Sequence, residues 1–188
     1  MESATCIAAV SHNGIVWMGG DSAATTADGD IKILSNKKVF IRTDEQQNNW
    51  IFGFMGAYRF AQLLQYEVQL PNFTTEDDND LLGFLVRNFI PLLQTCLKEK
   101  SFEQVDKSRS TGGTCLLGLK GRIFEIGNQY SIHETAKPYT AIGCGGPTAL
   151  GSLFSTVSLQ PEDRLQLALT AAEQFNWGVA GPFTIIHS

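Results

Sequence analysis

The chain is poor in the residues that build metal centres and covalent frameworks. Its 188 residues hold four cysteines and three histidines. Cys6, Cys96, Cys115 and Cys144 are widely scattered, no C-x-x-C pair occurs, and no histidine stands at ligand spacing from them. That pattern argues against a zinc site or a disulfide scaffold and leaves reduced thiols in a cytoplasmic protein as the expectation. His12, His133 and His187 are equally dispersed and read as structural or surface residues, so no metal and no cofactor is expected. Clustered lysine and arginine are also missing, and the net charge is -5. A nucleic-acid backbone is then not an expected partner, because binding it needs grouped cations. No apolar run approaches the roughly 20 residues that span a bilayer, so no membrane partner is expected. Residues 1–4 (MESA) have neither the charged start nor the apolar core of a secretory signal. Internal repeats and low-complexity segments are absent as well.

What is present is an apolar content of 43%, enough for a sizeable core in one domain. The stretch around which the chain is organised is residues 5–21, TCIAAVSHNGIVWMGGD. Two apolar runs, 6–10 and 15–18, flank the turn residues His12, Asn13 and Gly14, the pattern of a β-hairpin. Such a hairpin returns Asp21 to the side of Thr5. If residues 1–4 were removed, Thr5 would carry a free α-amine, and a hydroxyl with its own amine as base is a known activated nucleophile. A threonine at a strand start before a Gly-Gly-Asp turn is by itself ordinary β-protein grammar.

Along the chain, residues 22–29 read as a polar loop. Residues 37–42 and 50–55 form a second hairpin across the turn 43–49. From Gly56 the period changes: Ala57, Phe60, Ala61, Leu64 and Val68 mark one face of a helix that ends before Pro71. The acids of 76–80 suit the start of a second helix with a stripe of Leu82, Leu85, Phe89, Leu92, Leu93 and Cys96, which Pro91 should kink or divide. Residues 101–111, with Lys107 and Arg109, read as an exposed connection. Strands at 113–119, 122–127 and 139–143 follow. A third helix begins at residues 145–147, and a fourth begins at Pro161, with apolar residues around most of its circumference. Residues 182–187 close the chain as a strand. Runs of strands alternating with helix pairs predict an α+β fold, a four-layer αββα sandwich of two antiparallel sheets flanked by helix pairs.

Four motifs keep Thr5 company: GGDSAAT at 19–25, NKKVF at 36–40, GFMGA at 53–57 and IGCGGP at 142–147. Together with TCIAAV they resemble the proteasome β-subunit and bacterial HslV family of N-terminal nucleophile hydrolases, over nearly the whole chain. The resemblance implies the same αββα fold, with residues 1–4 as a short leader and 5–188 as one hydrolase domain. It also implies that Thr5 is the nucleophile, at the family's spacing of sixteen residues from Asp21. Asp21 would support a lysine, and Lys38, directly before Val39, matches the family's catalytic lysine. The interval to it is one residue longer than usual, which implies an insertion after Thr25. Lys37 is the rival, but strand alternation points it to the other face. Gly56 matches the glycine whose N–H faces the developing oxyanion, and a plain strand-to-helix turn explains it equally well on sequence. Cys144 stands where the family has a serine near the nucleophile, and a thiol is the weaker hydrogen-bond partner. Asn176 and Val179 stand where eukaryotic members have an aspartate and a serine.

Ala24, Thr25, Phe54 and Met55 match the residues that pair with an extended substrate and line the pocket before the cut bond. A peptide or unfolded protein is the implied substrate, hydrolysed without metal. A closed homo-oligomeric ring of six or seven subunits and an ATP-driven unfoldase are the implied partners. Activity would require loss of the leader, whose Ala4 replaces the glycine usual in family precursors, so the chain beginning at Met1 is expected to be the inactive form. Two readings from other classes stand beside this one. Residues 142–148 resemble a nucleotide-cradling loop but lack G-x-G-x-x-G. A catalytically inactive ring-wall subunit of the same fold is the stronger alternative.

Overall fold

The computed structural model of the chain describes residues 5–25, 29–74, 77–106 and 109–188. The expected leader, Thr26 and Asp28 of the polar loop, Glu76 and Lys107 lie outside the described residues.

The first hairpin forms as its two apolar runs and the turn between them predict. Strand β1 (Ile7–His12) pairs antiparallel with β2 (Ile15–Gly20), and Ile7 faces Gly20. The two-residue turn requires positive φ at both positions, met by Asn13 (50°) and Gly14 (77°). The expected polar loop contains a strand: β3 (Ala23–Thr25) pairs with β4 (Ile31–Ile33). The second hairpin is β5 (Val39–Thr43) with β6 (Asn49–Met55).

Helix α1 (Tyr58–Tyr66) buries Phe60, Ala61, Leu63 and Leu64. The helix expected next continues past Pro91, but its regular winding is interrupted just before that residue. Asp80 caps α2 (Leu81–Phe84) by accepting from the Gly83 N–H at 3.0 Å. A π-helical turn over Leu85–Phe89 then leads into α3 (Ile90–Glu99). Proline lacks the N–H that a regular turn would use, and its ring crowds the carbonyl one turn back; the wider turn relieves both. The stretch Asp77–Glu99 has the length and apolar content of a membrane span, although polar and charged residues interrupt it. Its Leu81, Phe84, Leu85, Phe89 and Leu93 are buried in the core of this structure.

The expected exposed connection carries a short hairpin, β7 (Gln104–Asp106) with β8 (Arg109–Thr111). After it come β9 (Thr114–Leu119), β10 (Arg122–Ile126), a short β11 (Ile132–Glu134) and β12 (Tyr139–Ile142). Then α4 (Gly146–Ser155), α5 (Pro161–Phe175) and β13 (Thr184–His187) complete the chain. Helix α5 is buried on one face and not around most of its circumference, since Leu167 is 46% and Phe175 76% exposed.

Two sheets dominate, both with antiparallel neighbours: β12-β1-β2-β13 and β11-β10-β9-β6-β5. Three hydrophobic clusters surround them. Ile7, Val16 and Met18 of the first sheet meet Val39, Ile51 and Leu116 of the second. Trp50, Phe52 and Phe124 of the second sheet pack with Leu63, Phe84 and Phe89 of α1 to α3. Ala8 and Val10 of the first sheet pack with Leu153 of α4 and Leu165 and Leu169 of α5. Alternation along β1 and β6 places successive side chains in different clusters, which is why both strands are apolar throughout.

Candidate active site

Thr5 precedes β1, Asp21 follows β2, and Lys38 precedes β5. The first hairpin brings Asp21 back beside Thr5: the Asp21 N–H donates to Cys6 O at 3.2 Å. Lys38 reaches them from the second sheet. Its Nζ donates to Asp21 Oδ1 at 2.8 Å and to Thr5 Oγ1 at 3.1 Å. The three residues are nearly sealed, with Thr5 2%, Asp21 1% and Lys38 2% exposed.

A buried carboxylate needs several donors to hold its charge. Asp21 also accepts from the Cys6 N–H at 2.9 Å and from the Ala23 N–H at 3.0 Å. Burial pulls the Lys38 ammonium below its ordinary pKa, and the charge and hydrogen bond of Asp21 offset part of that shift. Burial, helped by Asp21, pushes the neighbouring Cys6 thiol up to about 12, so it stays protonated and unreactive.

The loop between β12 and α4 clamps Thr5 from the other side. The Cys144 thiol lies 3.5 Å from both Thr5 N and Thr5 O, accepting from the amide and donating to the carbonyl. The Gly145 N–H also donates to Thr5 O at 3.2 Å. Gly143 adopts φ +93°, and any Cβ there would run into the Thr5 carbonyl, so glycine is required at this close approach. The Thr5 nitrogen in this chain is a peptide amide, standing where a free α-amine would stand after cleavage.

Thr5, Asp21, Lys38 and Cys144 are thus joined by direct contacts. Gly56, between β6 and α1, has φ +92° and open space where a Cβ would stand. Asn176 donates to Thr148 Oγ1 at 3.2 Å, and Val179 packs in the apolar cluster behind Gly145.

A cavity of about 640 Å³ adjoins the site between β5 and α1. Phe54 is in its wall, and the Phe54 N–H donates to Lys38 O at 3.1 Å. Ala24, Thr25 and Met55 are not in that wall: Ala24 and Thr25 belong to β3, and Met55 packs toward the cluster between the sheets. Sequence reasoning passed over Tyr58 and Gln62, which line the cavity from the α1 face opposite the core stripe. The signal for them was the helical period just after the Gly56 turn. The Tyr58 hydroxyl is buried without a hydrogen-bond partner among the described residues, and burial with the nearby Asp21 charge pushes its pKa up to about 12.

Known structures share this arrangement of sheets and helices. No protein-family model matches the chain, and no curated protein does. Among solved structures, Thiobacillus denitrificans BPH has 22% sequence identity and a TM-score of 0.75, covering 98% of this chain and 97% of that one. The same protein in complex with epoxomicin has 21% identity and a TM-score of 0.74, with 98% of each chain covered. Eukaryotic HslV from Trypanosoma brucei has 18% identity and a TM-score of 0.69, covering 97% of this chain and 98% of that one. The chain therefore has the fold of these proteins.

Proposed function

We propose that this protein is a proteasome-like threonine peptidase that hydrolyses peptide bonds with Thr5 after loss of residues 1–4. The observation that carries the reading is the buried Lys38 ammonium, which bridges Thr5 Oγ1 and Asp21. The freed α-amine, with an ordinary pKa of about 7.7 to 8.0, takes the proton from Oγ1 as that oxygen attacks the scissile carbonyl. The adjacent Lys38 cation lowers that pKa by like-charge repulsion and stabilises negative charge growing on Oγ1. Cys144 and Gly145 hold the Thr5 backbone, and the Gly56 N–H receives the carbonyl oxygen as it becomes an oxyanion. Collapse forms an ester on Thr5 and expels the new amine, which takes a proton from the Thr5 ammonium. Water then cleaves the ester by the same steps.

The proposal extends to a four-layer αββα order within one hydrolase domain, supported by the placement of the three clusters. It includes a homo-oligomeric ring in the cytoplasm that receives unfolded chains from an ATP-driven unfoldase. Exposed Phe154, Val157, Phe175 and Trp177 are large apolar side chains that an assembly would cover. One observation favours the alternative of an inactive ring-wall subunit: the Cys144 thiol supplies only weak hydrogen bonds where the resemblance implies a hydroxyl. The deciding experiment is hydrolysis of fluorogenic peptides by protein beginning at Thr5, beside Thr5→Ala. Turnover lost in the variant supports the peptidase; no turnover in either supports the inactive subunit.

A further inference from the structure

Two neighbouring lysines have separate surroundings in this structure. Lys38 is buried against Thr5 and Asp21, whereas Lys37 is exposed and lines the 640 Å³ cavity. That volume lies within the range of about 300 to 1,000 Å³ found for ligand pockets. The cavity shares a wall with the catalytic corner, since Val39 follows Lys38 and the Phe54 N–H donates to Lys38 O. Its other lining side chains are apolar, such as Val39, Phe40 and Phe54, or neutral and polar, such as Gln62 and Gln65. Among the described residues of the wall, Lys37 is the one charged group and none carries a carboxylate. Lys37 also makes no ion pair with a carboxylate among the described residues. A fixed charge beside low-dielectric walls discriminates by sign, because a like charge finds no counter-ion and an opposite charge does.

We propose that Lys37 selects by charge the side chain that enters this cavity, which on the peptidase reading is that of the residue whose carbonyl Thr5 attacks. Neutral and acidic side chains with apolar stems enter, and lysine and arginine are turned away. The inference rests on the peptidase reading for its link to turnover, but the recognition it describes does not need catalysis.

The test uses peptides that differ only in carrying Glu, Gln or Lys before the reporter amine, with protein beginning at Thr5. The expected kcat/KM for the Glu peptide exceeds that for the Lys peptide by about tenfold, a contrast that added salt narrows. Lys37→Gln brings the ratio close to one, and Lys37→Glu reverses it. A ratio that Lys37→Glu leaves unchanged overturns the proposal, as does a preference of the unaltered protein for Lys. Calorimetric binding of the matching peptide amides to Thr5→Ala separates this inference from the peptidase reading. Binding that favours Glu through Lys37, without turnover in the Thr5 protein, sinks the peptidase and keeps the cavity assignment. Turnover without any Lys37-dependent order does the reverse, and absence of both binding and turnover removes both.

Discussion

Lys38 is where sequence, burial and chemistry meet most closely. Lys38→Ala should lower kcat/KM at least a hundredfold, in line with the loss of a preorganised charge at a reacting oxygen, which costs about 10² to 10³ in rate. Lys37→Ala should retain turnover of peptides with neutral side chains at the cut, and if it alone abolishes turnover, the lysine assignment is wrong. The pH profile should be bell-shaped. Its acid limb reports loss of the free Thr5 amine to protonation, and its alkaline limb reports loss of the Lys38 charge. Because burial lowers the Lys38 pKa, that limb should fall below pH 10.5, the ordinary lysine value. The sign for stability is opposite. Between the lowered folded pKa and 10.5 the unfolded chain binds more protons, so this lysine's contribution to stability rises with pH there while activity falls. Gly143→Ala should cost about 2 kcal/mol or more, from strain at positive φ and the clash with Thr5 O, as urea unfolding would show. In the Thr5, Asp21 and Lys38 constellation, the nearness of Thr5 and Asp21 was legible from hairpin return, whereas Lys38 was named by the resemblance, with strand alternation only setting Lys37 apart. The double contact of Cys144 with Thr5 was not legible, since it depends on how the 143–146 loop turns, and the cavity role of Lys37 depends on α1 packing across from it.

Among the elements, apolar runs bounded by turn residues were the reliable sign of a strand. β1, β2, β5, β6, β9 and β10 were all readable. The three-residue strands β3, β4, β7, β8 and β11 were not, because so few residues show no period. β4 is exposed at all three positions, so burial left no mark on its sequence. The turn through Leu85–Phe89 was hidden for another reason: a proline signals disturbance without saying whether a helix ends or widens. The widened turn still buries Leu85 and leaves Val86 48% exposed. Leu85→Ala should therefore cost about 2 to 5 kcal/mol, and Val86→Ala no more than about 0.5 kcal/mol. Equal costs in denaturant unfolding would contradict this placement of the helix.

For the molecule as a whole, the two sheets arise from local hairpins, yet the corner at Thr5 uses both sheets and the β12 to α4 loop. Activity should then require the complete fold, and native mass spectrometry should find a closed homo-oligomer. Monomer alone at micromolar concentration would remove the ring from the account. The central claim is that Thr5 becomes an N-terminal nucleophile, and the intact mass of protein purified from its own source tests it most directly, with Thr5→Ala expressed in parallel. The account predicts a mass lacking residues 1–4 in the unaltered protein and retaining residues 2–4 in the variant. An unaltered protein that keeps Met1, or loses Met1 alone, and turns over no fluorogenic peptide would contradict it.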